Sequence, residues 1–189
     1  MTMTINGSGS IGGLSAGGLP AAVVQPNNLV QALTLATTQN TTSGTSVDFT
    51  GIPSWVKRIT VMFNGVSTNG TTPVMLQIGN NTPESTGYMC SGSSVASTVA
   101  STLFTTGFGI GQTSQAAAFV RHGVITLSLL NASLNLWAIS GLLGLSDQAA
   151  TIFVGGSKSI PAVLNILRLT TVSGTDTFDA GSVNILYEG

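Results

Sequence analysis

Apolar and polar residues alternate along much of the chain after residue 46. In Val56–Phe63, which reads VKRITVMF, the residues Ile59, Val61 and Phe63 fall on one face of an extended backbone. The stretch Pro73–Gly79, PVMLQIG, alternates in the same way. Because side chains along a β-strand point to opposite faces in turn, a period of two indicates strands with one buried face. We therefore expect Ile59, Val61 and Phe63 to enter the core.

Turn signals divide the chain into short segments. Asn69-Gly70 is a favoured hairpin turn and predicts that the first two of these strands pair with each other. The sequence Asn131-Ala132-Ser133 predicts a second turn between two strands. Further strands are predicted in ATIFVGG, AVLNILRLTTV and the closing FDAGSVNILYEG. Eight or more short strands with no capped helical stripe predict an all-β fold, an antiparallel β-sandwich of jelly-roll-like form.

Residues 1–45 differ from the rest of the chain. They are rich in Gly and Ser near the start, and no charged residue precedes Asp48. Their scattered apolar side chains cannot bury enough area to fold alone. We expect residues 1–45 to form an extended anchoring arm that orders against neighbouring subunits, and residues 46–189 to form the β-domain; a disordered leader is the alternative. The arm residues expected to make these contacts are Leu14, Leu19, Val23, Val24, Leu29 and Val30.

Charged residues are scarce throughout the sequence. They make up 6% of the chain, against about 25% in an ordinary globular domain. A monomer with so few charges has little protection against association, so we expect much of its surface to be covered by copies of itself or by other proteins. The formal net charge is -1, which argues against a nucleic-acid partner, because phosphate binding needs clustered Lys and Arg.

The uncharged stretch Gly123–Leu145 is long enough to cross a bilayer as a helix. However, Ile125, Leu127 and Leu129 alternate with more polar residues, and the predicted turn at Asn131 lies at its centre. This pattern favours two strands joined by a turn over a membrane-spanning helix. We therefore predict no membrane insertion.

The sequence offers few residues for catalysis or metal binding. GLSAG at residues 13–17 matches a nucleophile-elbow motif but lacks the strand that must precede it. His122 and Cys90 are the single residues of their types, so a zinc site within one chain is excluded, and we expect a hydrogen-bonded histidine and a buried thiol. Asp176 and Asp179 suggest turn residues rather than a calcium loop. We predict no catalytic, cofactor or metal site, and no enzyme; a glycan-degrading carboxylate pair is the enzymatic alternative.

Two large aromatic residues, Trp55 and Trp137, are candidate contacts for a glycan. An exposed indole ring on a β-domain can stack on a sugar, which would suit attachment to a host surface. The alternative is core packing, because aromatic side chains dominate protein cores.

Two stretches resemble a recurring domain of tailed-bacteriophage virion proteins. They are VDFTGIPSWVKRITVMF at Val47–Phe63 and the closing FDAGSVNILYEG, and they bracket most of the chain. The Gly-rich opening INGSGSIGGLSAGGLP is similar to the leader of many phage fibre proteins. The resemblance implies a structural protein of the virion, often a tail fibre, which is commonly a homotrimer and attaches to other virion proteins of the tail or capsid.

Together with the resemblance, the arm and the low charge suggest host attachment through the β-domain, and the two tryptophans suggest a host-surface glycan as the ligand. Most fibres carry shaft segments between leader and terminal domain, whereas this chain passes from one to the other almost directly. That shortness favours a second expectation, a head-fibre or capsid-decoration protein that stabilises the shell.

Overall fold

The computed structural model of the chain describes residues 33–113, 115–117 and 119–189, in which Leu33–Gly189 form one compact unit. These residues form fourteen strands and no helix. The strands are β1 Thr34–Leu35, β2 Gln39–Asn40, β3 Ser46–Thr50, β4 Arg58–Thr68, β5 Val74–Asn80, β6 Thr82–Pro83, β7 Met89–Val95, β8 Val99–Phe104, β9 Phe108–Ile110, β10 Arg121–Asn131, β11 Leu136–Leu145, β12 Ala150–Ser159, β13 Ile166–Thr171 and β14 Phe178–Glu188.

The strands make two antiparallel sheets. The larger has nine strands in the order β1-β14-β4-β10-β11-β12-β7-β8, with β2 also paired to β14; the smaller has five, in the order β3-β13-β5-β6, with β9 also paired to β5. Buried residues from both sheets join in one hydrophobic core. The predicted all-β antiparallel sandwich is confirmed. In the larger sheet β10, β11 and β12 form a meander, and the finer jelly-roll description stays a prediction.

The alternation of apolar residues predicted the core correctly. Ile59 and Val61 are fully buried and Phe63 is 5% exposed, all on the inner face of β4. In β5, however, Met75 and Gln77 are buried as well, although they lie on the face opposite to Val74, Leu76 and Ile78. They lie on the outer face of the smaller sheet, where the segment around Thr106 covers them: the Gln77 amide donates to the Thr106 carbonyl oxygen.

The hairpin predicted at Asn69-Gly70 is wrong. β4 pairs with β14 and β10 in the larger sheet, whereas β5 pairs with β13 in the smaller sheet, so the chain crosses between sheets here. The Asn69 N–H donates to the Thr177 carbonyl oxygen, and Asp176 accepts from Thr72. Among the described residues, neither Asn69 nor Gly70 has the positive φ that a primed hairpin turn requires. Contacts with residues 176–177 fix this crossover.

The hairpin predicted at Asn131 is confirmed. β10 and β11 pair from Arg121↔Leu145 to Asn131↔Leu136, with one irregularity after Leu129. The Asn131 side-chain oxygen accepts hydrogen bonds from the N–H groups of Ser133 and Leu134, which closes the turn. Nowhere in the described part of the chain is there a helix that is long and apolar enough to cross a membrane.

The compact unit begins at Leu33, thirteen residues before the boundary that the sequence suggested. β1 and β2 pair with β14 along its free edge. Thr41 is fully buried, and its hydroxyl donates to the Ala180 carbonyl oxygen at 2.7 Å. Residues 34–41 therefore belong to the edge of the larger sheet. The predicted arm contacts, Leu14 to Val30, lie outside the described residues.

Candidate interaction surfaces

The surface carries fewer unpaired basic groups than the composition suggests. Of the five basic residues, Arg121 is 1% exposed and Lys158 is 7% exposed. Two more are joined to carboxylates in ion pairs, Arg58–Glu188 and Arg168–Asp48. The solvent-facing surface is consequently almost free of unpaired positive charge.

Arg121 fixes the connection between β9 and β10. Its guanidinium donates to the Phe119 carbonyl oxygen at 3.0 Å and to the side-chain oxygen of Gln115, while its Nε has no partner in the described part of the chain. Burial lowers the pKa of Arg121 to about 10, against the opposing attraction of Asp147. The Gln115 amide in turn donates to the Ile110 carbonyl oxygen at 3.0 Å. This network serves the fold, and Arg121 offers no cation to a ligand.

Tyr88 and Lys158 close a gap along the edge of the smaller sheet. Strand β9 covers Val74–Leu76 and strand β6 covers Gly79–Asn80, and the buried Tyr88 hydroxyl accepts from the Ile78 N–H between them, at 2.8 Å. Burial raises the pKa of Tyr88. The Lys158 ammonium donates to the Thr86 carbonyl oxygen and lies 5.2 Å from the centre of the Tyr88 ring. Both polar side chains are committed to the fold.

His122 makes ordinary hydrogen bonds at the start of β10, as predicted. Its Nδ1 accepts from the Gly65 N–H at 3.2 Å, and its Nε2 lies 3.1 Å from the Ser146 hydroxyl. The β4–β10 register shifts at this point, which leaves Gly65 without a pairing residue on β10. The imidazole accepts the hydrogen bond that the Gly65 N–H would otherwise lack. Among the described residues, no group of three or more His, Cys, Asp or Glu could hold a metal ion.

Cys90 and the two aspartates have structural surroundings. Cys90 is buried, as predicted, and burial raises the pKa of its thiol to about 11. Asp176 accepts from the N–H and hydroxyl of Thr72, and these bonds hold the pKa of its carboxyl below the ordinary value. Asp179 accepts from the Ser67 hydroxyl. The turn role expected of Asp176 is confirmed, whereas the same role expected of Asp179 is wrong, because Asp179 lies within β14.

The two tryptophans differ in burial. Trp137 is 3% exposed and lies on the inner face of β11 with Ile139, so the structure corrects its assignment as a glycan contact: it packs in the core. Trp55 is partly buried and its ring centre lies 5.7 Å from that of Tyr187, tilted by 53°. Contact between Trp55 and a glycan stays a prediction.

The outer face of the larger sheet carries a row of exposed apolar side chains, called here the apolar row. Cross-strand pairing aligns Met62 of β4 with Val124 of β10, Leu142 of β11 and Phe153 of β12. Val124, Leu142 and Phe153 are 50%, 49% and 43% exposed. Directly opposed side chains on neighbouring strands are within contact distance, so the four residues form one continuous feature across four strands.

The surroundings of the apolar row are uncharged towards the β8 edge, whereas on the β4 side the Arg58–Glu188 ion pair lies on the same face. Strands β7, β8 and β11 contain no charged residue, and the one in β12, Lys158, points inward. Towards the β8 edge, Met89, Val99 and Leu103 are 70%, 71% and 81% exposed, and a groove of ≈ 450 Å³ lies between Met89 and Leu103. Exposed apolar patches of this kind mark sites where proteins associate.

The outer face of the smaller sheet has a different character. Cross-strand pairing sets Asp48, Arg168 and Gln77 side by side on β3, β13 and β5. Arg168 binds Asp48 through two hydrogen bonds, of 2.7 and 2.6 Å, which raise the pKa of the guanidinium. An adjoining groove of ≈ 490 Å³, called here the polar groove, is lined by residues that include Thr45, Ser46, Gln77, Ser85, Arg168 and Thr170. Hydroxyl, amide and paired ionic groups suit a neutral, hydroxyl-bearing ligand.

Comparison of the chain with protein-family models, with curated proteins and with solved structures found no match.

Proposed function

We propose that the protein is a non-enzymatic structural protein of a bacteriophage virion, a tail fibre or tail-associated protein that is anchored by its N-terminal arm and contacts the host surface. The resemblance of Val47–Phe63 and of the closing strand to phage virion proteins supports this role. A homotrimer is the assembly that the resemblance implies.

The observation that carries the proposal is the outer face of the larger sheet, which carries the apolar row and, across β11, β12, β7 and β8, no outward charged residue. A protein that stays alone in water would lose solubility by exposing the apolar row with so few charges on that face. A component of a particle is covered at such a face. Because the five basic residues are mostly buried or paired, the chain is also poorly suited to bind nucleic acid.

The polar groove supports the host-contact part of the proposal, with a neutral glycan as ligand. The remaining guanidinium N–H groups of Arg168 can donate to vicinal hydroxyl groups of a sugar, and the remaining lone pairs of the Asp48 carboxylate can accept from them. We expect Arg168→Gln to weaken binding of the protein to host cells or their isolated polysaccharide. Arg58→Gln is the matched control, because it breaks an ion pair at the opposite sheet. Equal binding by wild type and both variants would remove the groove from the proposal.

Capsid decoration or a head fibre is the second candidate. The Gly-rich opening ends near Pro20 and β1 begins at Thr34, which leaves little chain for a shaft. Both candidates place the protein in the virion.

Gold-labelled antibodies against the protein, applied to intact particles, test the proposal. Label on the tail supports the fibre role, and label on the head supports decoration. Particles that lack the protein, both by labelling and by mass spectrometry, would refute a virion role.

A further inference from the structure

We infer that the outer face of the nine-stranded sheet, from β4 to β8, docks onto a second copy of this chain. This inference names the partner for the assembly surface and so rests on the proposed function, but it concerns a contact that the purified chain can form by itself. Three features of the face favour a copy over a different partner: charge, shape and area.

The charge pattern favours a like surface. The outward residues of β11, β12, β7 and β8 are apolar, Ser, Thr, Ala or Gly, and none is ionisable. A partner with a charged surface would lose hydration on docking and gain no opposite charge in return. A second copy presents the same face. The outward ionisable residues of β4 and β10 have partners, because Arg58 is paired with Glu188 and His122 is hydrogen-bonded to Ser146, so neither surface buries an unpaired charge.

The shape of the face is complementary to itself. Leu142 and Phe153 project from β11 and β12, and Gly144 and Gly155 lie two residues further along the same strands. At both glycines a Cβ atom would meet nothing within 4 Å, so each leaves an opening above the sheet. In a two-fold arrangement the projecting side chains of one copy meet the openings of the other, which is the self-complementarity that an isologous interface requires.

The area is sufficient for a stable contact. Six adjacent strands about 4.8 Å apart, each taken over a length of about seven residues at roughly 3.3 Å per residue, give about 650 Å² of flat face. Stable protein interfaces bury about 800 Å² on each partner, measured on the more corrugated accessible surface. Two such sheets can stack at about 10 Å, as the two sheets of one sandwich do.

The test uses the full-length chain and measures mass by light scattering during size-exclusion chromatography, over a wide range of concentrations. The monomer has a mass of 19.1 kDa. Because a two-fold contact joins copies in pairs, we expect the wild type to run as a dimer, or as a hexamer if the homotrimer of the proposed function forms as well. Gly155→Leu fills an opening without a clash inside one copy, so we expect it to keep the fold and to weaken association by about 10-fold or more.

Two further variants separate docking of this face from misfolding and from an effect of added bulk alone. Leu142→Glu places a charge in the apolar row and is expected to give a monomer, with circular dichroism reporting that the strands remain. Thr50→Leu adds apolar bulk to the outer face of the smaller sheet and is expected to leave the oligomer unchanged.

A wild-type mass of 19.1 kDa at every concentration would overturn the inference, because no second copy would then cover the face. An oligomer unaffected by Gly155→Leu and Leu142→Glu would overturn it too, since the contact would lie elsewhere. Neither result bears on whether gold label locates the protein in particles, so the inference and the proposed function can fail separately.

Discussion

Replacing Tyr88 by phenylalanine removes one oxygen atom from the gap between β9 and β6. That oxygen accepts the Ile78 N–H at 2.8 Å and lies 3.2 Å from the Ile78 carbonyl oxygen and 3.1 Å from that of Glu84. Tyr88 is 2% exposed and Ile78 is fully buried, so water cannot readily replace the lost group. A buried donor left without a partner costs about 1–3 kcal/mol. We expect Tyr88→Phe to lower the free energy of unfolding by about 2 kcal/mol.

Urea denaturation followed by tryptophan fluorescence measures this change, and a chain of this size should also melt about 4–8 °C lower. The matched control is Tyr187→Phe, which removes the same atom from a partly buried ring that lies beside Trp55. A substitution of this kind near the surface usually changes the free energy of unfolding by no more than about 0.5 kcal/mol. If both variants lost equally little stability, the hydroxyl of Tyr88 would not be holding the sheet edge, and the reasoning would be refuted.

Three further predictions concern the backbone and the thiol. Gly181→Ala should lower the free energy of unfolding by more than about 3 kcal/mol, because the φ of Gly181 is +88° and an added methyl group would strike the Gly65 carbonyl oxygen. Gly174→Ala is the control: its φ is +69° with open space around it, so chemical denaturation should show a loss of only about 1 kcal/mol. Cys90 should react with a thiol reagent only when the protein unfolds, and labelling at the rate of free cysteine in native buffer would contradict its burial. Folding raises the pKa of the Cys90 thiol from 9.0 to about 11, so the contribution of this thiol to stability is full below pH 9 and is lost as pH rises towards 11. Denaturation at pH 10 should therefore show a loss of about 1 kcal/mol that is absent in Cys90→Ala. An identical loss in that variant would refute the assignment.

The alternation of apolar residues was enough to predict the sandwich and the inner face of β4, because burial of one face is a local property of a strand. It could not predict which strands pair. Asn69-Gly70 has the composition of a hairpin turn, yet contacts with residues 176–177, over one hundred positions away, turn the chain into the other sheet. Likewise the segment around Thr34 has too few apolar residues to be recognised as a strand, and it becomes one because β14 offers a free edge.

The candidate surfaces were harder to predict. Adjacent apolar residues in β11 and β12, Leu142-Leu143 and Ile152-Phe153, were the available signal, because a strand that is apolar on both faces has one face left to cover. That their outward members line up into the apolar row depends on register, which the sequence does not show. The polar groove depends on register too, since Asp48 and Arg168 are 120 residues apart in the chain.

From the proposed function, we expect the apolar row to be covered in the assembled virion. A reconstruction of the intact particle by electron cryo-microscopy, at a resolution that shows side chains, tests it directly. We expect Leu142 and Phe153 to lie against another polypeptide chain, a second copy of this one. A reconstruction in which the outer face of the nine-stranded sheet borders solvent would contradict it.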